Sequence, residues 1–190
     1  MNKVNYTAIE KYVKSQKNWI TMHYAKSQIN IIAQHREWFE DRDVVDIGCG
    51  RGILEAAFGP IAKSFRSCDL NDINFFTLKI DLCSAEKIPY PDRSFDTVML
   101  ISVIEHVPKP ELAMGECRRV IRENGKLIVA IPHGFAWKAM RSLKFALPEN
   151  WVEHARFNEK ELMALAKDWK LNWRKCIVTG LFWIYEFQLK

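Results

Sequence analysis

Two periodicities alternate along the chain. Ile29, Ile32, Trp38 and Phe39 recur at helical spacing and Thr7 followed by Glu10 reads as a capping box, so residues 7–40 are expected to form two helices. Val44, Val45 and Ile47 then make a short β-branched run that ends in glycines, the pattern of a buried strand turning into a helix, here Ile53 to Lys63. Further strands are expected at Phe65 to Cys68, Phe75 to Ile80, Thr97 to Ile101 and Lys126 to Ile131, with a helix at Glu111 to Ile121 before the last of these. Strands alternating with helices imply a parallel sheet. After Pro132 comes an irregular aromatic and basic segment. Asn158 with Glu161 then caps a helix to about Trp169, and two strand-like runs flank Thr179 and Gly180 as a closing hairpin. Only Leu70 to Asn74 separate the second and third strands, whereas a parallel crossover usually needs about a dozen residues or more. Either that crossover is a minimal loop or one boundary is displaced.

The most informative stretch is Val44-Val45-Asp46-Ile47-Gly48-Cys49-Gly50-Arg51-Gly52, a strand ending in three glycines on alternate residues. Such glycines let the backbone turn tightly and approach a ligand, because a Cβ would fill the space the ligand needs. A dinucleotide-binding turn would place its third glycine three positions after the second, where this chain has Ile53, so hydride transfer with a nicotinamide is weakened at its own signature. An acid two residues before the first glycine, Asp46, suits a ligand with a positively charged methionine end better than a pyrophosphate.

At this point the chain resembles the class I S-adenosylmethionine-dependent methyltransferases, and within them the ubiquinone and menaquinone biosynthesis group. The resemblance covers about residues 40–180 and rests on four stretches in order: VVDIGCGRG, SCDL, SAEKIPYPDRSFD and TVMLISVIEHV. It implies an α/β, Rossmann-like fold: a mostly parallel seven-stranded sheet in the order 3-2-1-4-5-7-6, with the last strand antiparallel and helices on both faces. It also implies S-adenosyl-L-methionine as cofactor. Carried over position by position, Asp46, Gly48, Cys49 and Gly50 pack on the methionine part of the cofactor. Asp69, with Leu70 beside it, lies where a carboxylate can accept both ribose hydroxyls, the alternative being a solvated strand-end acid. The family's third stretch usually opens with an Asp for the adenine amino group. The aligned residue here is Ser84, so adenine contact passes to Ser84 and Ala85, mostly through backbone, with Asp81 as a strand-end or capping acid. Ile101 and Ser102 close the fourth strand facing the methionine end, although Ile101 also fits the core.

Catalytic candidates are fewer. His106, in IEHV, can position or deprotonate a nucleophile near neutral pH, and His154, in EHARF, resembles a substrate-side element of several family members. A helix-capping His106 and structural roles for His133 and His154 are the competing readings. Phe135, Trp137, Met140, Leu143 and Phe145 interleave with Lys138, Arg141 and Lys144, which suits an amphipathic lid over an apolar or anionic substrate or, alternatively, a surface helix packed on the core.

Composition narrows this picture modestly. The 190 residues are 48% hydrophobic and 27% charged, which fits one folded domain, with expected divisions at 1–42 (helices over the cleft), 43–131 (cofactor core), 132–157 (lid) and 158–190 (helix and hairpin). There is no signal-peptide pattern or apolar run of spanning length, so the cytoplasm is the expected compartment. Five cysteines without a Cys-x-x-Cys pair or zinc-finger spacing suggest neither a disulfide framework nor a metal site. Reduced thiols are expected, with Cys49, Cys68 and Cys83 near strand ends as buried small residues.

A net charge of +5 tolerates an anionic partner without requiring one. The expected function is methyl transfer to an O, N or C nucleophile on a small, lipid-linked or sugar-linked acceptor. RNA-base methylation is a second reading, DNA not being expected, and a catalytically silent binding protein of the same fold is a third.

Overall fold

The computed structural model describes residues 3–16, 19–73, 75–76, 78–132, 158–177 and 182–190. Expectations that fall on residues 133–157, including His133, His154 and the amphipathic lid, lie outside the described residues, as does the turn at Thr179 and Gly180.

Seven strands form one sheet: β1 (Asp43–Ile47), β2 (Ser64–Asp69), β3 (Ile80–Leu82), β4 (Phe95–Ile101), β5 (Ile121–Pro132), β6 (Trp169–Ile177) and β7 (Phe182–Leu189). Their order is β3-β2-β1-β4-β5-β7-β6. Pairing is parallel from β3 to β5, while β7 runs antiparallel to both β5 and β6. This is the Rossmann-like arrangement expected from the resemblance.

The strands are apolar on both faces because helices cover both. Val45, Ile47, Val98, Leu100, Leu127 and Val129 belong to one core cluster, together with Ala113, Met114 and Cys117 of α4 (Pro110–Val120) and Leu162 of α5 (Glu159–Leu165). Their neighbours Val44, Met99, Ile128 and Ala130 belong to the other. That cluster also takes Ile9 and Val13 of α1 (Tyr6–Lys14), Ile29 and Ile32 of α2 (Trp19–Gln34), and Leu54, Ala57 and Phe58 of α3 (Ile53–Phe58). Adjacent residues of a strand thus serve opposite cores, which is why the strands read as continuous apolar runs.

Four expectations change. Helix α1 is capped by Asn5, whose Oδ1 accepts from the Ala8 N–H at 3.1 Å, and Thr7 lies inside its first turn. Val4 before the cap and Ile9 in the first turn are buried in the same cluster, the arrangement of a hydrophobic staple, and this sets the start earlier. Helix α3 stops at Phe58 because Gly59 and Pro60 tighten into a 3-10 turn, so the helix does not reach Lys63. The Asn158–Glu161 capping box is present, but α5 ends at Leu165, and Trp169 opens β6 because its partner is Leu189 of β7.

The largest correction concerns Phe75 to Ile80. The third strand is Ile80–Leu82, so the crossover runs from Leu70 to Lys79 and the boundary, not the loop, was displaced. Phe75 and Phe76 cover the glycine turn instead. The Arg51 guanidinium lies 4.2 Å from the Phe75 ring centroid, Lys11 of α1 lies 5.0 Å from it, and the Phe75 N–H donates to the Arg51 carbonyl at 3.2 Å. Aromatic residues recruited by cations give the same local signal as a strand.

Candidate active site

Parallel strands deliver their carboxyl ends to one edge of the sheet, and a cleft opens there beside β1, where the strand order reverses. Gly48, Asp69 and Leu70 line one side, Cys83, Ser84 and Ala85 the next, and Ser102, Val103 and His106 the far end.

The turn after β1 is held from below by β2. Gly48 and Cys49 donate their N–H groups to the Cys68 carbonyl at 2.8 and 3.1 Å, and the Gly50 N–H donates to Asp69 Oδ2 at 2.8 Å. Asp69 Oδ1 accepts from the Asn71 N–H at 3.0 Å, so this carboxylate orders both the turn and its own loop while lining the cleft. The glycines earn their places differently from the expectation. At Gly48 (φ +70°) an added Cβ would meet Val103 Cγ2 at 2.5 Å, so the close approach is to protein. At Gly50 (φ +52°) nothing lies within 4 Å of that position, so a side chain there would enter open space beside the turn.

Asp46 lies under the turn, buried, with its carboxyl raised well above the usual range by burial, reinforced by Asp69 and Glu55. An acid in this state favours a nearby cation, because a positive charge would offset the cost of ionising it. The Cys49 thiol is buried and its pKa is pushed up by burial and the same three carboxylates, which makes it a packing residue and not a nucleophile.

Ser84 lines the cleft, but its Oγ accepts from the Glu86 N–H at 3.1 Å, which leaves mainly backbone to face a ligand. Asp81 sits within β3 and accepts from the Tyr90 hydroxyl at 2.9 Å. Ile101 is partly buried against the core cluster on the α1 side, and the cleft wall is made by the next two residues, Ser102 (φ +57°) and Val103. His106 is exposed at the cleft, on the 3-10 turn Ile104–His106.

The structure adds Tyr24, which sequence reading passed over, and gives an environment to Glu105, which the sequence places on the cleft rim beside His106. Tyr24 of α2 places its hydroxyl 3.3 Å from Ser102 Oγ and accepts from Gln28 Nε2 at 2.9 Å. Burial raises the Tyr24 pKa, so it stays a neutral phenol. Glu105 has one carboxylate oxygen, Oε2, sealed from solvent without a hydrogen-bond partner, and burial pushes its pKa up to about 8.

Cys68 and Cys83, expected as reduced thiols, form a disulfide with a Cα–Cα separation of 5.7 Å. The register of β2 on β3 explains it. Cys68 pairs with Asp81, and the Cys83 N–H donates to the Asp69 carbonyl at 2.9 Å, which closes the distance between residues 15 apart in sequence. Among the described residues no group of three or more metal-ligating side chains converges, and no helix is long and apolar enough to cross a membrane.

A doubly wound sheet with an acid-braced glycine turn at its switch point defines the class I methyltransferase architecture, and residues 45–129 match the family model described as a methyltransferase domain. Over that stretch the chain is similar to the methyltransferase domain family, and the fold around it is the Rossmann-like one of class I methyltransferases. It is 33% identical over 111 residues to a ubiquinone/menaquinone biosynthesis C-methyltransferase of Cupriavidus taiwanensis, covering 51% of this chain and 45% of that protein. It is 26% identical over 143 residues to a ubiquinone biosynthesis O-methyltransferase of Parvibaculum lavamentivorans, covering 65% and 56%. The chain thus spans about half the length of these relatives. The fold matches that of an S-adenosylmethionine-dependent methyltransferase from Thermotoga maritima with a TM-score of 0.67 at 20% identity, over 97% of this chain and 100% of that one.

Proposed function

We propose that the protein transfers a methyl group from S-adenosylmethionine to a small-molecule acceptor at a carbon or oxygen nucleophile. The observation that carries this is Asp69: one carboxylate both fixes the Gly50 N–H and lines the cleft between the glycine turn and Ser84–Ala85. The residues present fit the cofactor. Asp69 keeps lone pairs for ribose hydroxyls, the backbone of Ser84 and Ala85 borders an adenine position, and buried Asp46 supplies negative potential for the methionine end.

When bound, the cofactor supplies an electrophilic methyl on a sulfonium. The chain's task is then to hold the acceptor in line and exclude water, and positioning of this kind contributes on the order of 7 to 11 kcal/mol. Ser102 lines the far end of the cleft with its hydroxyl set by Tyr24, an arrangement suited to orienting an acceptor hydroxyl or carbonyl. His106 adds an exposed imidazole at the same end. The names of the two relatives, a C-methyltransferase and an O-methyltransferase of quinone biosynthesis, support carbon or oxygen as the acceptor atom and a small molecule as the class.

Calorimetric titration with S-adenosylmethionine and S-adenosylhomocysteine tests the reading. Wild type should bind both, and Asp69→Ala and Gly50→Val should each weaken binding at least tenfold. If folded wild type binds neither, the fold is serving as a binding scaffold without this chemistry.

A further inference from the structure

The Cys68–Cys83 disulfide covalently joins two walls of the cleft, one carried by β2 and one that follows the short strand β3. Cys68 is fully buried, and its carbonyl receives the Gly48 and Cys49 N–H groups, so its strand carries the glycine turn. Cys83 is half-buried, lines the cleft, and is followed directly by the lining residues Ser84 and Ala85. The edge strand β3, which leads to Cys83, is only 3 residues long, and its Leu82 is 69% exposed. Beyond Ala85 the segment is anchored to another element, through Glu86 Oε1 accepting from the Lys109 N–H at 2.7 Å and Glu116 Oε2 accepting from the Ile88 N–H at 2.7 Å. Near Cys83 itself, the ties to β2 are the disulfide, the Cys83 N–H bond to the Asp69 carbonyl and the parallel pairing of Leu82 with Asp69.

From this placement we infer that the cystine is a redox-active site, opened by a dithiol reductant entering through the cleft, and that its state sets the affinity of the cleft for an adenosyl ligand. The inference rests on the reading of this cleft as the cofactor site. The thiolate of the dithiol attacks Cys83 Sγ, the sulfur on the solvent side, and forms a mixed disulfide. Cys68 departs as a thiolate and takes a proton, which its buried position favours. The second thiol of the reductant then displaces Cys83, which is also protonated. Two electrons and two protons pass from the dithiol, now a disulfide, to the two cysteines.

Opening the bond removes the covalent tie between the wall at Ser84 and Ala85 and the strand that braces Gly48 and Gly50, and leaves the Cys83 N–H bond and the Leu82–Asp69 pairing to hold it. A ligand that needs both walls in register must then order that segment on binding and binds more weakly. The coupling runs in both directions, since a ligand lying against Cys83 covers the sulfur the reductant must reach.

The test compares the oxidised protein with protein reduced by dithiothreitol. Cys49, Cys117 and Cys176 are free, so alkylation and mass measurement should count three thiols before reduction and five after. S-adenosylhomocysteine should bind the oxidised form at least fivefold more tightly than the reduced form. Cys83→Ser, a half-buried and nearly isosteric change, should reproduce the reduced affinity and no longer respond to dithiothreitol. Saturating S-adenosylhomocysteine should slow the appearance of the two new thiols at least fivefold.

Equal affinity in the two forms overturns the inference, as does a reduction rate indifferent to ligand, or five free thiols in folded protein after exposure to oxidised glutathione. If the intact disulfide form binds no S-adenosylhomocysteine, it is the cofactor reading that fails, and the redox coupling falls with it.

Discussion

Tyr24 and Ser102, 78 positions apart, bring their hydroxyl oxygens to 3.3 Å and so join an N-terminal helix to the end of β4 at the cleft. The contact ties α2 to a residue that lines the cleft. Replacing Tyr24 by Phe keeps the ring packed on Phe182 at 4.1 Å but removes the hydroxyl from both Ser102 and Gln28. A loss of about 1 kcal/mol is expected, read as a fall in melting temperature of roughly 2–4 °C. Acceptor turnover should fall more than cofactor affinity, and a cofactor affinity that falls in proportion would place Tyr24 at the wrong end of the cleft.

Gly48 and Gly50 should respond differently to alanine. At Gly48 the new Cβ meets Val103 Cγ2 at 2.5 Å under a positive φ, and a β-branched neighbour cannot swing aside. Gly48→Ala should therefore lower stability by about 2–3 kcal/mol in urea unfolding, and Val103→Ala in the same chain should return part of it. Gly50→Ala has open space and carries only the left-handed strain of about 1–2 kcal/mol, so its main effect should be on cofactor binding.

Glu105 gives a pH signature. Its folded pKa of about 8 lies above the ordinary 4.5, so between these values the folded form holds a proton that the unfolded chain has released. The cost of burying the carboxyl is absent below the lower value and grows until pH passes about 8. Glu105→Gln should then be neutral near pH 4 and more stable than wild type by on the order of 2–4 kcal/mol at pH 8. Parallel stability curves across that range would refute it.

Asp43, at the opposite end of the sheet, has the reverse sign. Lys63, Ser64 and Arg122 reach its carboxylate at 2.8, 2.7 and 2.7 Å and hold its pKa below the normal range. Its contribution is present above the unfolded value near 3.8 and is lost as pH falls through the depressed one. Asp43→Asn should lose about 2 kcal/mol at pH 7, and the gap from wild type should narrow as pH falls from about 4 toward 2.

Much of the fold was legible because β-branched runs and capping signals are local. Val44, Val45, Ile47 and the Asn158–Glu161 box appear where expected. The misses share one cause. Phe75 and Phe76 are aromatic because Arg51 and Lys11 lie over them, and Cys68 finds Cys83 because β3 starts at Ile80. Those reasons exist only after the chain has folded. Within the site, the glycine turn and Asp69 could be placed from residues alone, since each sits at a strand end. Tyr24 and Glu105 matter through what surrounds them, and no spacing encodes that.

The sheet order carries a consequence for how the molecule is made. Strand β7 lies between β5 and β6 although it comes last of the three in the chain, and its Glu186 accepts from Trp38 Nε1 at 2.6 Å. Until Phe182–Leu189 inserts, β6 has no strand to pair with and the indole of Trp38 lacks its buried acceptor. The segment made late therefore completes structure begun near residue 38, and this pairing can close only once residues 182–189 are present. A ribosome-stalled chain ending before residue 182 should hold β1 to β5 in a protease-sensitive state that matures only when the remaining residues are released.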